Sequence, residues 1–91
     1  MSEFTMPVDE AFAAADGTVV LVGWVSTGEV RPGDSLDLCT PCKTIPVSVK
    51  SLEAFGRVQL AMAGENIAIR VSGVTKDDVL PGSKLTAKGA K

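Results

Sequence analysis

The first residues in this chain with chemistry to offer are two cysteines. They stand as Cys39-Thr40-Pro41-Cys42, a C-x-x-C spacing that elsewhere serves zinc ligation or thiol–disulfide exchange. A structural zinc site wants four ligands. The chain has no histidine and no third cysteine, so zinc would need a second copy or carboxylates. A redox thiol is normally activated at a helix N-terminus, and this pair falls in a strand-to-strand loop. A disulfide across the loop is geometrically open but disfavoured in a reducing cytosol. The pair therefore reads first as a structural coincidence, with a labile disulfide or redox switch, or an intermolecular metal site, as the alternatives. No other chemistry is legible. There is no His, no Tyr and no nucleophile–base spacing, so no enzyme and no cofactor are expected. The phosphate-cradling pattern G-x-x-x-x-G-K-[ST] does not occur, so no nucleotide is expected.

The elements that must position any site are short strands. Thr18–Val25 (T-V-V-L-V-G-W-V) is the strongest, rich in β-branched residues and apolar on both faces as in a central strand. Gly23 inside it predicts a bulge or a sharp bend. Phe4, Met6 and Val8 alternate, and Pro7 suits an edge position. Asp9–Ala15 is too short for a stable helix and reads as extended chain or a single turn. Leu36 and Leu38 share one face of Ser35–Cys39; Ile45, Val47 and Val49 share one face of the next strand. The apolar phase then shifts to Leu52 and Ala54, which predicts a bulge or corner near Ser51. Ile67, Ile69 and Val71 face inward, and Asn66, Ala68, Arg70 and Ser72 outward. Leu85 and Ala87 close the sheet, and 88–91 fray. Turns fall at Asp16-Gly17, Thr27-Gly28, Pro32-Gly33, Gly64, Gly73 and Pro81-Gly82. Turn signals every eight to twelve residues or so define an all-β chain, a sandwich or, as the favoured form, a small closed antiparallel β-barrel of about six to seven strands. Closure is favoured because it removes aggregation-prone edges.

Composition bounds the rest. A chain of 91 residues makes one domain, read as 1–91 with an ordered core of roughly 4–87. The 45% apolar content implies a folded core rather than disorder. A net charge of −2 and a pI near 4.9 argue against binding by nonspecific phosphate attraction, while leaving a local patch open. No apolar run is long enough for a transmembrane helix, and M-S-E-F-T-M-P is not a signal peptide, so no membrane and a cytoplasmic location are expected. The Met1-Ser2-Glu3 start favours a stand-alone gene product.

The pieces occur in a familiar order. F-T-M-P-V-D-E-A-F (Phe4–Phe12), G-T-V-V (Gly17–Val20) and V-G-W-V-S-T-G-E-V-R-P-G-D (Val22–Asp34) come first. V-K-S-L-E-A-F (Val49–Phe55), A-G-E-N-I-A-I-R-V-S-G-V (Ala63–Val74) and D-V-L-P-G-S-K-L (Asp78–Leu85) follow. Together they resemble domain 2 of the translational GTPases, as in elongation factor Tu, over nearly the whole chain. The resemblance implies a barrel that helps to hold the aminoacylated 3′ end of tRNA and contacts the small ribosomal subunit. It places Glu53 where the family's glutamate meets the ribose hydroxyl of the terminal adenosine. It places Asn66 beside the esterified amino acid, and Asp9, Glu10 and Phe12 in a first loop lining the same pocket. There are departures: Trp24 stands where the family often has a basic residue, and the Arg-Lys stretch after L-E-A-F is only Gly56-Arg57.

Each of these residues also has a plainer role. Phe12 and Phe55 read as core, Trp24 as partly buried, Glu53 as a solvated strand residue and Asn66 as a turn residue satisfying backbone groups. Three functions follow. The first is a non-catalytic binding module of translation with tRNA, other RNA or the ribosome as partner. The second is a protein–protein interaction or regulatory module that has lost RNA binding. The third is a redox or metal protein built on Cys39 and Cys42.

Overall fold

The computed structural model describes residues 3–54 and 56–87, and of Arg57 the backbone alone. Ten strands follow one another: β1 (Thr5–Pro7), β2 (Glu10–Ala13), β3 (Val19–Trp24), β4 (Glu29–Val30), β5 (Ser35–Cys39), β6 (Thr44–Glu53), β7 (Arg57–Val58), β8 (Ala61–Met62), β9 (Asn66–Ser72) and β10 (Lys84–Ala87). One turn of 3-10 helix, Lys76–Asp78, interrupts them. The segment read as extended chain or a single turn is extended, as β2. Phe55 and 88–91 lie outside the described residues.

The main sheet is antiparallel in the order β1-β10-β5-β6-β9-β3-β2, with β7 hairpinned onto β6 and a small β4–β8 pair beside it. The N-terminal segment joins its two ends. β1 pairs with β10 through Met6↔Leu85, and also bonds to the chain just after β3. There the Thr5 amide donates to the Thr27 carbonyl at 3.0 Å and the Ser26 amide to the Thr5 carbonyl at 2.8 Å. Further along, the Asp9 amide donates to the Val22 carbonyl at 2.7 Å, and β2 continues up β3. One bent segment thus serves both edges, so neither is left as a long open template.

Alternation fills the interior. Val19 and Leu21 of β3, Leu36 and Leu38 of β5, Ile67, Ile69 and Val71 of β9, and Leu85 of β10 are all buried, with Met6 closing one end. The phase shift in β6 is a register break between Val49 and Ser51: Val49 faces Val71, Ser51 faces Arg70, and Leu52 is restored to the core opposite Ile69. The extra residue costs a local kink and lets the strand bend around the barrel.

Of the bulge or sharp bend expected at Gly23, the bulge is not found. The β3–β9 register runs unbroken from Val19↔Val71 to Trp24↔Asn66. What Gly23 provides is room: a Cβ there would lie 2.1 Å from the Pro7 carbonyl oxygen. β1 crosses β3 at a distance only a glycine allows. Gly28, at φ +73, allows a second close approach, to the backbone of Phe4.

Two aromatic expectations are also corrected. Phe12 is 49% exposed and Trp24 is 57% exposed, rather than core and partly buried. The cause is parity. With Val19 and Leu21 turned inward, the alternation of β3 sends Val20, Val22 and Trp24 to the outer face. Phe12 pairs with Val20 and so shares that face.

Candidate functional site

The outer face of β2, β3, β9 and β6 carries the site. Its rows follow from the registers. Glu53 stands opposite Ala68, Ala68 opposite Val22, and Val22 opposite Glu10. One row along, Asn66 stands opposite Trp24. Between β6, β9 and β3 lies a cavity of about 650 Å³. Its less exposed wall is apolar: Val22, Ile67, Ala68, Ala54 and Val58. Its exposed border carries Trp24, Leu60, Glu53, Glu65 and Asn66. A hollow of this size with an apolar wall and a few polar groups has the character of a ligand pocket.

The polar groups differ in how they are held. Asn66 Nδ2 donates to the Gly23 carbonyl at 3.3 Å, so the amide is braced across the β3–β9 ladder rather than spent on its own turn. Glu65 Oε1 accepts the Met62 amide at 2.9 Å and closes the β8–β9 turn. Among the described residues, no hydrogen bond or ion pair engages the Glu53 carboxylate. No Lys or Arg is among the described side chains around the cavity.

Glu53 and Asn66, on different strands, are thus brought to one cavity. Asp9, Glu10 and Phe12 are not brought to it. Asp9 and Glu10 line a smaller hollow of about 240 Å³ with Lys76, Val79, Leu80 and Pro81. Glu10 shares the row of Glu53 but lies three strand spacings away, roughly 14 Å. Phe12 borders neither hollow and stands on the outer face of the edge strand.

The cysteines are both free. Cys39 ends β5 half-buried, its Sγ 3.7 Å from the Thr86 hydroxyl. Cys42 is exposed in a tight turn in which Thr40 Oγ1 accepts the Cys42 and Lys43 amides at 3.2 and 3.0 Å. The chain continues from that turn into β6, so no helix dipole bears on either thiol. Among the described residues, no group of three His, Cys, Asp or Glu side chains is gathered to hold a metal ion.

Away from the cavity, two of the ion-paired carboxylates are also held by hydrogen bonds. The Thr18 hydroxyl and amide, with Arg70 beside them, hold the Asp16 carboxyl below its usual range. The Thr75 amide and hydroxyl, with Lys43, do the same for Asp78. Both are structural tethers of surface turns.

On the exposed border of the cavity, Trp24, Leu60 and Glu65 are the residues that sequence reasoning missed. The parity of Trp24 with the core residue Leu21, an odd number of positions away, was the available signal for the first.

No family model matches the chain. Among solved structures, translation elongation factor SelB from Methanococcus maripaludis in its apo form matches with a TM-score of 0.90 and 32% identity, covering 99% of this chain. The same factor in complex with the GTP analogue GPPNHP matches equally, at 0.90 and 32% over 99%. The chain has the fold of a translation-factor barrel. It spans 20% of the length of those structures. The resemblance to domain 2 of the translational GTPases holds for the fold, over almost all of the barrel. Among the described residues, no helix is long and apolar enough to cross a membrane.

Proposed function

We propose that this translation-factor barrel is a non-catalytic binding module of the translation apparatus, acting in the cytoplasm, and that its outer-face cavity holds the 3′ end of a tRNA. The observation that carries the reading is the meeting of Glu53 and Asn66 at one cavity. The resemblance matches the first to a ribose contact and the second to a position beside the esterified amino acid. A carboxylate with no partner among the described residues, at the edge of an apolar hollow, is chemically suited to accept from a ribose hydroxyl.

The test is fluorescence anisotropy with end-labelled aminoacyl-tRNA at low salt, with the parent chain, Glu53→Ala, and a tRNA whose terminal ribose lacks its 2′-hydroxyl. A hydrogen bond to a charged acceptor contributes about 1.5–3 kcal/mol, so either change should weaken binding about 10- to 150-fold. Equal binding by Glu53→Ala, or no binding by the parent chain, refutes the reading.

The exposed Trp24, Leu60 and Met62 favour a second reading, a protein-interaction module. A partner recovered from lysate that survives RNase, with no tRNA affinity, would establish it instead.

A further inference from the structure

The geometry points to the open side of β2 as a docking edge for an extended, basic segment of a protein partner, which adds to the sheet as one more antiparallel strand. This edge shares no lining residue with the cavity around Glu53 and Asn66. β2 pairs with β3 along one side only. The Ala14 amide donates to the Thr18 carbonyl at 2.9 Å, which fixes the residues that point at β3. Bonded and non-bonded pairs alternate, so Phe12↔Val20 and Glu10↔Val22 carry the ladder. Ala11 and Ala13 therefore turn their amides and carbonyls the other way. Among the described residues, no turn or loop hydrogen bond meets them there. Two donors and two acceptors at strand spacing form a template for a further strand.

Both faces of that edge offer side-chain contacts. Phe12 and Glu10 stand exposed on the outer face. On the other face Ala11 packs toward the core. Beside it opens the hollow of about 240 Å³, closed on its far side by Val79, Leu80 and Pro81. An added strand thus sets one row of side chains over Phe12 and Glu10 and the other row toward Ala11 and the hollow.

Charge selects the occupant. Asp9 and Glu10 border the hollow, and among the described residues no ion pair engages either carboxylate. Lys76 is the one cation set against them among the described lining residues. A lysine or arginine opposite Glu10 gains an ion pair, and its neighbour on the same face lies over the Phe12 ring. A phosphate chain would meet repulsion from the same carboxylates. A second copy of this chain fits poorly. β2 has four residues, roughly 14 Å of edge, whereas a stable protein pair buries about 1,200–2,000 Å². Pairing β2 with β2 would also bring the Asp9 and Glu10 carboxylates of both copies to one seam. A peptide strand draws its affinity from the main-chain bonds and needs no such area.

The experiment titrates the nitrogen-15-labelled chain with an end-capped peptide of alternating valine and lysine, followed by amide NMR spectra and amide exchange. The Ala11 and Ala13 amides should shift and their exchange should slow, while the Phe12 amide, already bonded to β3, keeps its protection. Methylating the valine amides of the peptide, which face β2 when the lysines lie over Glu10 and Phe12, should abolish binding; methylating the lysine amides should not. Replacing the lysines by glutamate should abolish it too. Ala13→Pro removes a donor from the open side alone, so Tm should stay near the parent's while peptide affinity falls about ten-fold. Glu10→Gln should weaken binding about two- to five-fold. No binding of the valine–lysine peptide, equal binding of its valine-methylated form, or equal binding by a folded Ala13→Pro overturns the docking edge. So do shifts confined to the surroundings of Glu53 and Asn66, or shifts at Ala11 and Ala13 that grow with protein concentration alone, which would assign the edge to a second copy.

Discussion

Replacing Gly23 with alanine sets two effects of opposite sign against each other. Gly23 does not lie in the positive-φ region, so its backbone suits any residue. In the absence of neighbours, Gly→Ala would stabilise the fold by about 0.4–1 kcal/mol, because the unfolded chain loses freedom. The neighbour decides otherwise. The new Cβ would lie 2.1 Å from the Pro7 carbonyl oxygen, and real contacts of this kind stay above 3.0 Å. The obstructing atom belongs to backbone, so no side chain can swing away. β1 must lift from β3, against the Ser26–Thr5 and Thr5–Thr27 hydrogen bonds that close the barrel. Overpacking of this sort costs about 1–3 kcal/mol, and backbone against backbone belongs at the upper end. The net destabilisation is then about 1–2 kcal/mol or more, which for a domain of this size lowers Tm by about 4–16 °C. Thermal unfolding followed by circular dichroism reads the shift. Hydrogen exchange locates it, with the Ser26 and Thr5 amides losing protection first. A Tm equal to or above the parent's, with Ser26 still protected, would show that β1 does not need this close approach and that the account of closure is wrong.

Other consequences are as direct. Among the described residues the buried Ser51 hydroxyl has no hydrogen-bond partner, so Ser51→Ala should be neutral or stabilising by up to about 1 kcal/mol, read as an unchanged or raised urea midpoint. Asp16 and Asp78 titrate below their unfolded value of 3.8 because the fold donates hydrogen bonds to the charged form. The stability they contribute is present above that value and lost as pH falls through the lower folded value, so the urea midpoint should fall from about pH 5 to about pH 2. The Asp16→Asn/Asp78→Asn double variant should show a flatter acid limb, and an identical limb would remove these carboxyls as its cause. Cys42 is exposed and Cys39 half-buried, so timed alkylation with mass spectrometry should label Cys42 first and Cys39 more slowly. The reverse order would contradict the placement of the β5–β6 turn.

Much of the barrel was legible because a strand has period two. Ile67, Ile69 and Val71 could be assigned to the interior from alternation alone, and the slipped phase between Val49 and Leu52 announced the break at Ser51. The β4–β8 pair was not legible, since two residues on each strand carry no period and the pairing joins Glu29 and Val30 to Met62 and Ala61, far along the chain. Phe12 and Trp24 were misread because hydrophobicity was weighed above parity. On an apolar strand both faces look like core, and only the position of the neighbouring layer tells which face is covered. The site was half legible. Glu53 and Asn66 came from resemblance and do meet, while Asp9 and Glu10 of the first loop border a different hollow.

The sequence by itself determined the all-β class, the turns, the inward set of each main strand and the break in β6, because these follow from local stereochemistry and a period of two residues. Tertiary structure alone decided which strands became neighbours, and with them the rows that set Glu53, Ala68 and Val22 side by side and Asn66 against Trp24. It alone decided why Gly23 must be glycine. Those are relations between residues far apart in the chain, and register across a ladder is set by the closure of the whole barrel, which no local pattern encodes.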